Sequence, residues 1–312
     1  MTLQQLEYIV ALDQHRHFVR ASEACFVTQP TLSAMIMKLE DELGVKIFDR
    51  SRHPVMPTEV GVRVIHQARE ILAATARLKT MVQDAEEDMS GEFRLGIIPT
   101  LASSVLPIIL GPILERFPDL RLEVKEQTTE DLLQALVDGK MDAGLLVTPL
   151  EQDGFRIWPL FEEPLLVYDG MGLPEGKETF APGELALDRL LLLEEGHCLR
   201  AQALRICEFQ KSSGSGPFKY AAGSLETLKR LVDAQGLITI LPWLSIRQMT
   251  ADERKKTAVF SPVEPVRQVS LVSWRSALRE RQIGMLAEAI QSAIFPLLPE
   301  RVNVEKKVIP IG

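Results

Sequence analysis

Ala21-Ser22-Glu23-Ala24-Cys25-Phe26-Val27-Thr28-Gln29-Pro30-Thr31-Leu32-Ser33-Ala34-Met35-Ile36-Met37-Lys38-Leu39-Glu40-Asp41-Glu42-Leu43-Gly44 reads as helix, turn, helix. Thr28 can cap the second helix, and Pro30 is tolerated in its first turn, where a backbone N–H has no partner to lose. Leu32, Ile36, Leu39 and Leu43 are spaced by four, three and four residues, so one stripe faces inward. Gly44 stands where a left-handed C-cap is wanted. The opposite face carries Thr31, Ser33, Ala34, Met37 and Lys38. Upstream, Leu3, Leu6, Ile9 and Val10 define a first helix, and Phe18, Ala21, Ser22 and Cys25 give the preceding one, with Cys25 expected as a small buried residue. Two short helices about a tight turn suit a recognition helix in a major groove. A generic helical bundle fits the same periodicity.

Downstream, Lys46-Ile47-Phe48-Asp49-Arg50-Ser51-Arg52-His53-Pro54 is basic and rich in turn residues, as expected of a wing that grips phosphates. Together with Thr58-Glu59-Val60-Gly61, these sixty residues resemble the LysR type of transcription regulator. The resemblance implies a winged helix-turn-helix that binds double-stranded DNA. The candidate contacts are Gln29, Pro30, Thr31, Ser33, Lys38, Arg50 and Arg52. Met35 and Met37 stand where such helices often carry long polar side chains. Residues 1–90 hold ten Lys or Arg against thirteen Asp or Glu, a net charge of −3, so any basic footprint must be local.

Val60, Val64, Gln67, Ile71, Ala74, Leu78 and Met81 alternate at spacings of four and three, a heptad seam suited to a two-helix coiled coil. A long helix packed on its own domain is the alternative. Dimerisation would hold two readers about one DNA turn, or a multiple of it, apart. Asp84-Ala85-Glu86-Glu87-Asp88 and Ser90-Gly91 then read as a linker. The expected divisions are residues 1–58 for the reader, 59–90 for the linker helix, 91–300 for a regulatory domain and 301–312 for a tail.

From Glu92 onward short apolar runs alternate with helical patterns. Strands are expected at residues 93–98, 120–126 and 141–147, with helices at 102–116 and 129–138. That order implies an α/β domain with a parallel sheet. The pattern recurs from Leu165 to Leu241, with strands near 190–193 and 237–241, and residues 268–274 supply a late strand returning to the first lobe. LysR-like regulatory domains resemble periplasmic binding proteins in having two lobes with a cleft between them. Ligands of open α/β sheets bind beyond the strands' carboxyl ends, which makes Ile98-Pro99-Thr100 and Gln127-Thr128-Thr129 cleft candidates. Helix capping is the other reading of these threonines.

Glu194-Glu195-Gly196-His197-Cys198-Leu199-Arg200 leads into a helix beginning near His197, with Leu199, Ala203, Ile206 and Cys207 on its apolar face. Cys198 stands at the positive end of the helix dipole beside His197 and Arg200, influences that favour a thiolate. Cys207, on the apolar stripe, is expected to be buried and less reactive. Nine residues at a rise of ~1.5 Å put the two Cα atoms roughly 13 Å apart, beyond the ~7 Å reach of a disulfide, so bonding requires the helix to unravel. Such a pair can act as a peroxide switch through sulfenic acid and disulfide; on spacing alone, coincidence is the simpler reading. Ile98-Pro99-Thr100, Leu192 through Arg200, the Cys207 spacing and Ser224-Leu225-Glu226-Thr227-Leu228 resemble the peroxide-responsive branch of the LysR family over about residues 1–295. That resemblance implies that Cys198 is peroxidatic and Cys207 resolving, with Thr100, Thr129 and His197 holding hydrogen peroxide. It fades at residues 208–218, where Ser212-Ser213-Gly214-Ser215-Gly216 reads as a flexible loop.

The 312 residues allow two or three domains. Three cysteines are too few for a disulfide scaffold, and the five histidines form no metal signature, so neither metal nor cofactor is expected. The apolar runs are too short to span a membrane, and residues 1–10 already read as helix and not as a secretory leader. The chain is expected in the cytoplasm as a regulator and not an enzyme, in a homodimer or homotetramer, with RNA polymerase a further candidate partner. Competing readings are a regulator whose cleft binds a small metabolite, a solute-binding module, and a thiol peroxidase.

Overall fold

The computed structural model describes the chain apart from residues 52–53, 84–88, 195, 208–222, 276–278, 301–304 and 311–312, together with the side chains of residues 73 and 76–83. Arg52, the acidic linker and the Ser/Gly loop at 212–216 therefore lie outside the described residues, as do the side chains of Leu78 and Met81. The chain divides into a first unit whose main body is Met1–Glu86 and a second comprising Glu87–Leu136 and Lys140–Gly312. No helix among the described residues is long and apolar enough to cross a membrane.

The first unit contains α1 (Leu3–His15), α2 (Phe18–Ala24), α3 (Gln29–Leu43), a two-stranded antiparallel hairpin of β1 (Phe48–Asp49) and β2 (Met56–Pro57), and α4 (Glu59–Gln83). Local signals decide these boundaries. The Thr2 side chain accepts from Gln5 N–H, while the Gln5 side chain accepts from Thr2 N–H, closing a capping box at α1. Thr28 caps α3, and Gly44 ends it at φ +68°, a conformation glycine adopts without a Cβ clash. Leu6, Ile9, Leu12, Leu32, Ile36, Leu39, Ile47, Ile65 and Ala68 form its core. Cys25 is half-buried against that core and is the C-cap of α2.

Helix α4 uses Gly61, Ile65 and Ala68 inward. Of the seam residues, Val64 and Ile71 are half-buried against the unit's own core, whereas Val60, Gln67 and Ala74 are exposed.

The second unit begins with β3 (Gly91–Ile97), α5 (Pro99–Ala102), α6 (Leu106–Arg116), β4 (Leu120–Glu126), α7 (Thr129–Val137), β5 (Ala143–Thr148), β6 (Phe155–Asp169) and β7 (Thr179–Phe180). It continues with α8 (Cys198–Ile206), α9 (Leu225–Gln235), β8 (Ile238–Pro242), α10 (Ala251–Arg254), β9 (Thr257–Phe260), β10 (Val263–Trp274), α11 (Glu280–Ile294) and β11 (Glu305–Val308). Strands β4, β3 and β5 are parallel, and β10 runs antiparallel to both β5 and β6. The far half of β6 pairs antiparallel with β8 and β9. Two apolar cores result, one around β3, β5 and α11, the other around β8, α8 and α9. The architecture is α/β in two lobes, with β6 running through both.

Several local expectations change. The helix expected at 102–116 begins instead at Leu106, with Pro107 in its first turn, and residues 99–102 form a separate short helix. Residues 190–193 form no strand among the described residues; Leu190 makes an isolated bridge to Ile238 directly after the 3-10 turn at Leu187–Arg189. The sheet is mixed and not wholly parallel, since β10 is antiparallel to its neighbours. Strand β6 escaped the reading because Pro159 and Pro164 argue against a central strand. The ladder accommodates Pro159 at an irregularity, where the register shifts between Val269 and Ser270. The tail, which carried no sequence signal, supplies β11, paired in parallel with β10.

Helix α7 lies close to the parallel strands because Gly96 and Gly144 offer no side chain beneath Leu132. A Cβ at Gly96 would collide with Leu132 Cδ1. Gly96→Val therefore overpacks this core and should cost about 1–3 kcal/mol, read as a lower unfolding midpoint; an unchanged midpoint would mean that α7 is free to move off the sheet.

Candidate nucleic-acid interface and redox site

Gln29, Pro30, Thr31 and Lys38 are exposed on α3, and Ser33 is half-buried. Thr28 Oγ1 accepts from the Thr31 N–H at 3.4 Å and lies 2.8 Å from Thr31 Oγ1, which satisfies an N–H at the start of the helix. Behind this face is a residue that the sequence reading passed over. The Glu40 carboxylate is fully buried and accepts from Ile47 N–H at 2.9 Å, Phe48 N–H at 3.2 Å and the Arg50 guanidinium at 3.2 Å. Lys46 Nζ is 3.5 Å away. Glu40 follows Ile36 by four residues, so an acidic side chain on an apolar stripe was the available signal. Arg50 also donates to Ser33 Oγ at 3.4 Å and lies over the Phe18 ring, 5.4 Å from its centroid. Arg50 is thus a clamp between hairpin and helix, with its charge already opposed by Glu40.

In the second unit, Glu163 on β6 and Arg267 on β10 are opposite residues in the ladder, and both side chains are 0% exposed. Glu163 Oε2 accepts from Arg267 Nε at 2.9 Å and lies 2.7 Å from Nη2, while Oε1 accepts from Leu244 N–H at 2.7 Å. Held in this way, Arg267 turns its other donors to Thr100, Nη1 to Oγ1 and Nη2 to the carbonyl oxygen, each at 3.3 Å. Thr100, buried on α5, places Oγ1 3.8 Å from the Cys198 Sγ. Carboxylate, guanidinium, hydroxyl and thiol therefore form one connected chain.

Cys198 is the first residue of α8, with His197 its N-cap. The His197 Nε2 is 3.8 Å from Glu194 Oε1. Cys198 packs into the first-lobe core, whereas Leu199, Ala203 and Ile206 of the same helix pack into the second. Cys207, the C-cap, is half-buried beside the second core. Nine residues make about two and a half helical turns, so the thiols lie on opposite sides of α8. All three cysteines are free.

The expectation of a resting thiolate is corrected. Burial, with Cys198 only 7% exposed, pushes its thiol up from the usual range. The Arg267 charge, the Thr100 hydroxyl and the N–H groups of Leu199 and Cys198 oppose that shift without cancelling it. Arg200 contributes elsewhere, donating to the Leu193 carbonyl at 2.8 Å. Burial alone raises Cys207 to about 11.

The profile of bacterial regulatory helix-turn-helix proteins of the lysR family matches residues 3–62, and that of the LysR substrate binding domain matches residues 86–294. The chain belongs to the LysR family. A hydrogen peroxide-inducible genes activator of Pectobacterium carotovorum subsp. carotovorum is 40% identical, over 93% of this chain and 96% of that protein. The DNA-binding transcriptional dual regulator OxyR of Escherichia coli (strain K12) is 39% identical, over 94% and 95%. Among solved structures, a cysteine-to-aspartate variant of full-length OxyR from Pseudomonas aeruginosa superposes with a TM-score of 0.72 at 32% identity, covering 93% of this chain and 98% of that one. A hydrogen-peroxide-bound cysteine-to-serine variant of Corynebacterium glutamicum OxyR gives 0.63 at 30% identity, covering 97% and 98%.

For this LysR-family chain, the fold brings Thr100 to Cys198 and seats His197 next to it in sequence. Thr129 is half-buried at the start of α7, and the capping role there falls to Thr128, whose Oγ1 accepts from Asp131 N–H at 3.3 Å. Arg267 and Glu163 were missed. Their sequence signal is charge inside largely apolar strand segments, Glu163 beside Glu162 in β6 and Arg267 three residues after Glu264 in β10.

Two predictions follow from these geometries. Arg50→Ala leaves the buried Glu40 under-compensated and should cost the first unit about 1–3 kcal/mol, read as an earlier unfolding transition. A pure phosphate contact would leave that transition in place and lower the salt slope of DNA binding by about one. For the thiol, Thr100→Val removes a donor that stabilises the thiolate. The pKa must therefore rise further, and iodoacetamide labelling of Cys198 should shift to higher pH and slow several-fold at neutral pH. Labelling that is unchanged or faster would show that Thr100 does not support the thiolate.

Proposed function

We propose that this protein is a cytoplasmic transcription regulator that binds double-stranded DNA through its first unit and senses hydrogen peroxide through Cys198, with Cys207 as the resolving thiol. The observation that carries this reading is the Cys198 site itself: a buried thiol beside the Thr100 hydroxyl and the charge of a locked Arg267. A second thiol ends the same short helix. The names of the relatives support it.

In the proposed chemistry, the Cys198 sulfur attacks one peroxide oxygen as the O–O bond breaks. Sulfur becomes a sulfenic acid, and the departing hydroxide takes up the thiol's proton as water. Arg267 and Thr100 stabilise negative charge on sulfur as that proton leaves, so the high resting pKa limits adventitious reaction. Thr100, Thr129 and His197 are the proposed hydrogen-bonding groups for peroxide. The Cys207 sulfur then attacks the Cys198 sulfur, forming the S–S bond and releasing a second water after proton transfer. Two thiols and one peroxide give one disulfide and two waters. Because the thiols face opposite ways on α8, bond formation requires that helix to open, which withdraws Cys198 from one core while its neighbours leave the other. The two lobes respond, and the DNA-binding units are repositioned.

In the first unit, Gln29, Pro30, Thr31, Ser33 and Lys38 are the proposed DNA contacts, with Arg50 steadying the hairpin and Arg52 reaching phosphate. The exposed seam residues Val60, Gln67 and Ala74 support a homodimer, which two such dimers extend to a homotetramer; RNA polymerase is the proposed partner in activation. Divisions near residues 58, 90 and 300 separate reader, linker helix, sensor and tail.

A metabolite-responsive cleft is the second reading. It draws on Gln127 Oε1, buried without a hydrogen-bond partner at the carboxyl end of β4. The two readings separate in one experiment. Cys198→Ser should bind DNA as the reduced protein does and show no peroxide-dependent change in footprint. Cys207→Ser should still oxidise at Cys198 and gain oxygen on continued exposure. The intact mass of the wild type should fall by two hydrogens. A Cys198→Ser protein that responds to peroxide like the wild type would refute the thiol mechanism and leave the cleft reading in its place.

A further inference from the structure

The turn between α2 and α3 closes as a Schellman motif. The Val27 N–H donates to Ser22 O at 3.0 Å, and the Phe26 N–H donates to Glu23 O at 3.1 Å. The motif requires a left-handed residue between cap and exit, and Phe26 supplies it at φ +56°. Glycine or asparagine meets that requirement at lower cost, because a Cβ crowds the carbonyl in this conformation. Here the position holds an aromatic ring that is 96% exposed. The neighbouring aromatic, Phe18, is by contrast packed against the core under Arg50. Phe26 thus pays a backbone penalty and a hydration penalty, and the ring recovers neither within the chain.

What lies beside it indicates the occupant. Thr28, the N-cap of α3, is two residues on, and exposed Gln29, Pro30 and Thr31 follow. In a helix-turn-helix, the N-terminal residues of the second helix meet base edges, and the turn before it meets the flank of the groove. A ring there has two apolar partners on duplex DNA, the deoxyribose face and the thymine methyl. We propose that Phe26 is a DNA-contacting residue that packs its ring on a deoxyribose or thymine methyl at the edge of the site read by α3. This rests on the DNA-binding reading above and adds an apolar contact to it. The contact contributes affinity that no counterion release accompanies, so it is insensitive to salt.

The test uses the full-length reduced protein and a long random-sequence duplex, followed by fluorescence anisotropy over a series of salt concentrations. Phe26→Asn and Phe26→Gly both suit the left-handed position, so their unfolding midpoints should equal or exceed that of the wild type. Both should bind about tenfold more weakly, as loss of a buried aromatic contact predicts, with the slope of log affinity against log salt unchanged. Phe26→Tyr keeps the ring and should retain wild-type affinity. Wild-type affinity in Phe26→Asn and Phe26→Gly would overturn the contact while leaving the DNA-binding reading intact. The contact would equally be overturned if those variants changed only the sedimentation of the free protein, since the ring would then meet a second copy. A wild type that fails to bind the duplex at low salt would overturn the DNA reading and this inference with it.

Discussion

The buried ion pair of Glu163 and Arg267 organises the sensor unit. Two opposite charges, both shut off from water, sit directly across an antiparallel ladder where β6 passes from one lobe to the other. Desolvating two ions is expensive, and a well-packed apolar pair would be about as stable, so stability alone does not account for them. Once the pair exists, each remaining donor and acceptor needs a partner, and those partners define the site. Glu163 takes the Leu244 N–H and so ties down the turn that follows β8. Arg267 takes both oxygens of Thr100 and so directs a hydroxyl at the Cys198 thiol. Removing either ion would leave an uncompensated charge in the core, at a cost of about 3–5 kcal/mol.

The same device recurs in the first unit on a smaller scale. Glu40 is buried on the inner face of α3, where a leucine would complete the stripe, and its acceptors collect the N–H groups of Ile47 and Phe48 and the Arg50 guanidinium. A leucine would bury as well but could not orient the hairpin. The carboxylate converts an apolar contact into a directional one, because hydrogen bonds to a charged acceptor are both stronger and more geometrically selective.

Reactivity at Cys198 is a balance between two opposing terms. Burial raises the thiol pKa and shields the sulfur, while Arg267, Thr100 and the α8 amide N–H groups favour the charged form. Burial prevails at rest. Helix α8 gives that balance a mechanical consequence, because its first residue belongs to one core and its following apolar residues to the other. Any chemistry that draws Cys198 toward Cys207 therefore exchanges packing between lobes.

The helix-turn-helix was legible in the sequence because its determinants are local: the Thr28 cap, Pro30 in the first turn, the stripe from Leu32 to Leu39 and the Gly44 stop all act within a turn of where they stand. Leu43, expected on the same stripe, is instead exposed at the end of the helix, and Glu40 is the buried residue there. The parallel strands and the start of α8 were legible for the same reason. Strand β6 was not, since its prolines contradict the local pattern and only a neighbouring strand can accommodate them. The protonation state of Cys198 was also out of reach. Thr100 lies 98 residues away in the chain, and Arg267 is 167 residues from Thr100. The sequence by itself determined the helices of the first unit, the parallel strands β3, β4 and β5 and the two cysteines at the ends of α8, since these depend on neighbours along the chain. Tertiary structure decided that Arg50 turns to Glu40, that Arg267 and not Arg200 faces the thiol, and that burial outweighs the dipole. Desolvation and Coulomb energy depend on separation in space, and no spacing along the chain records that.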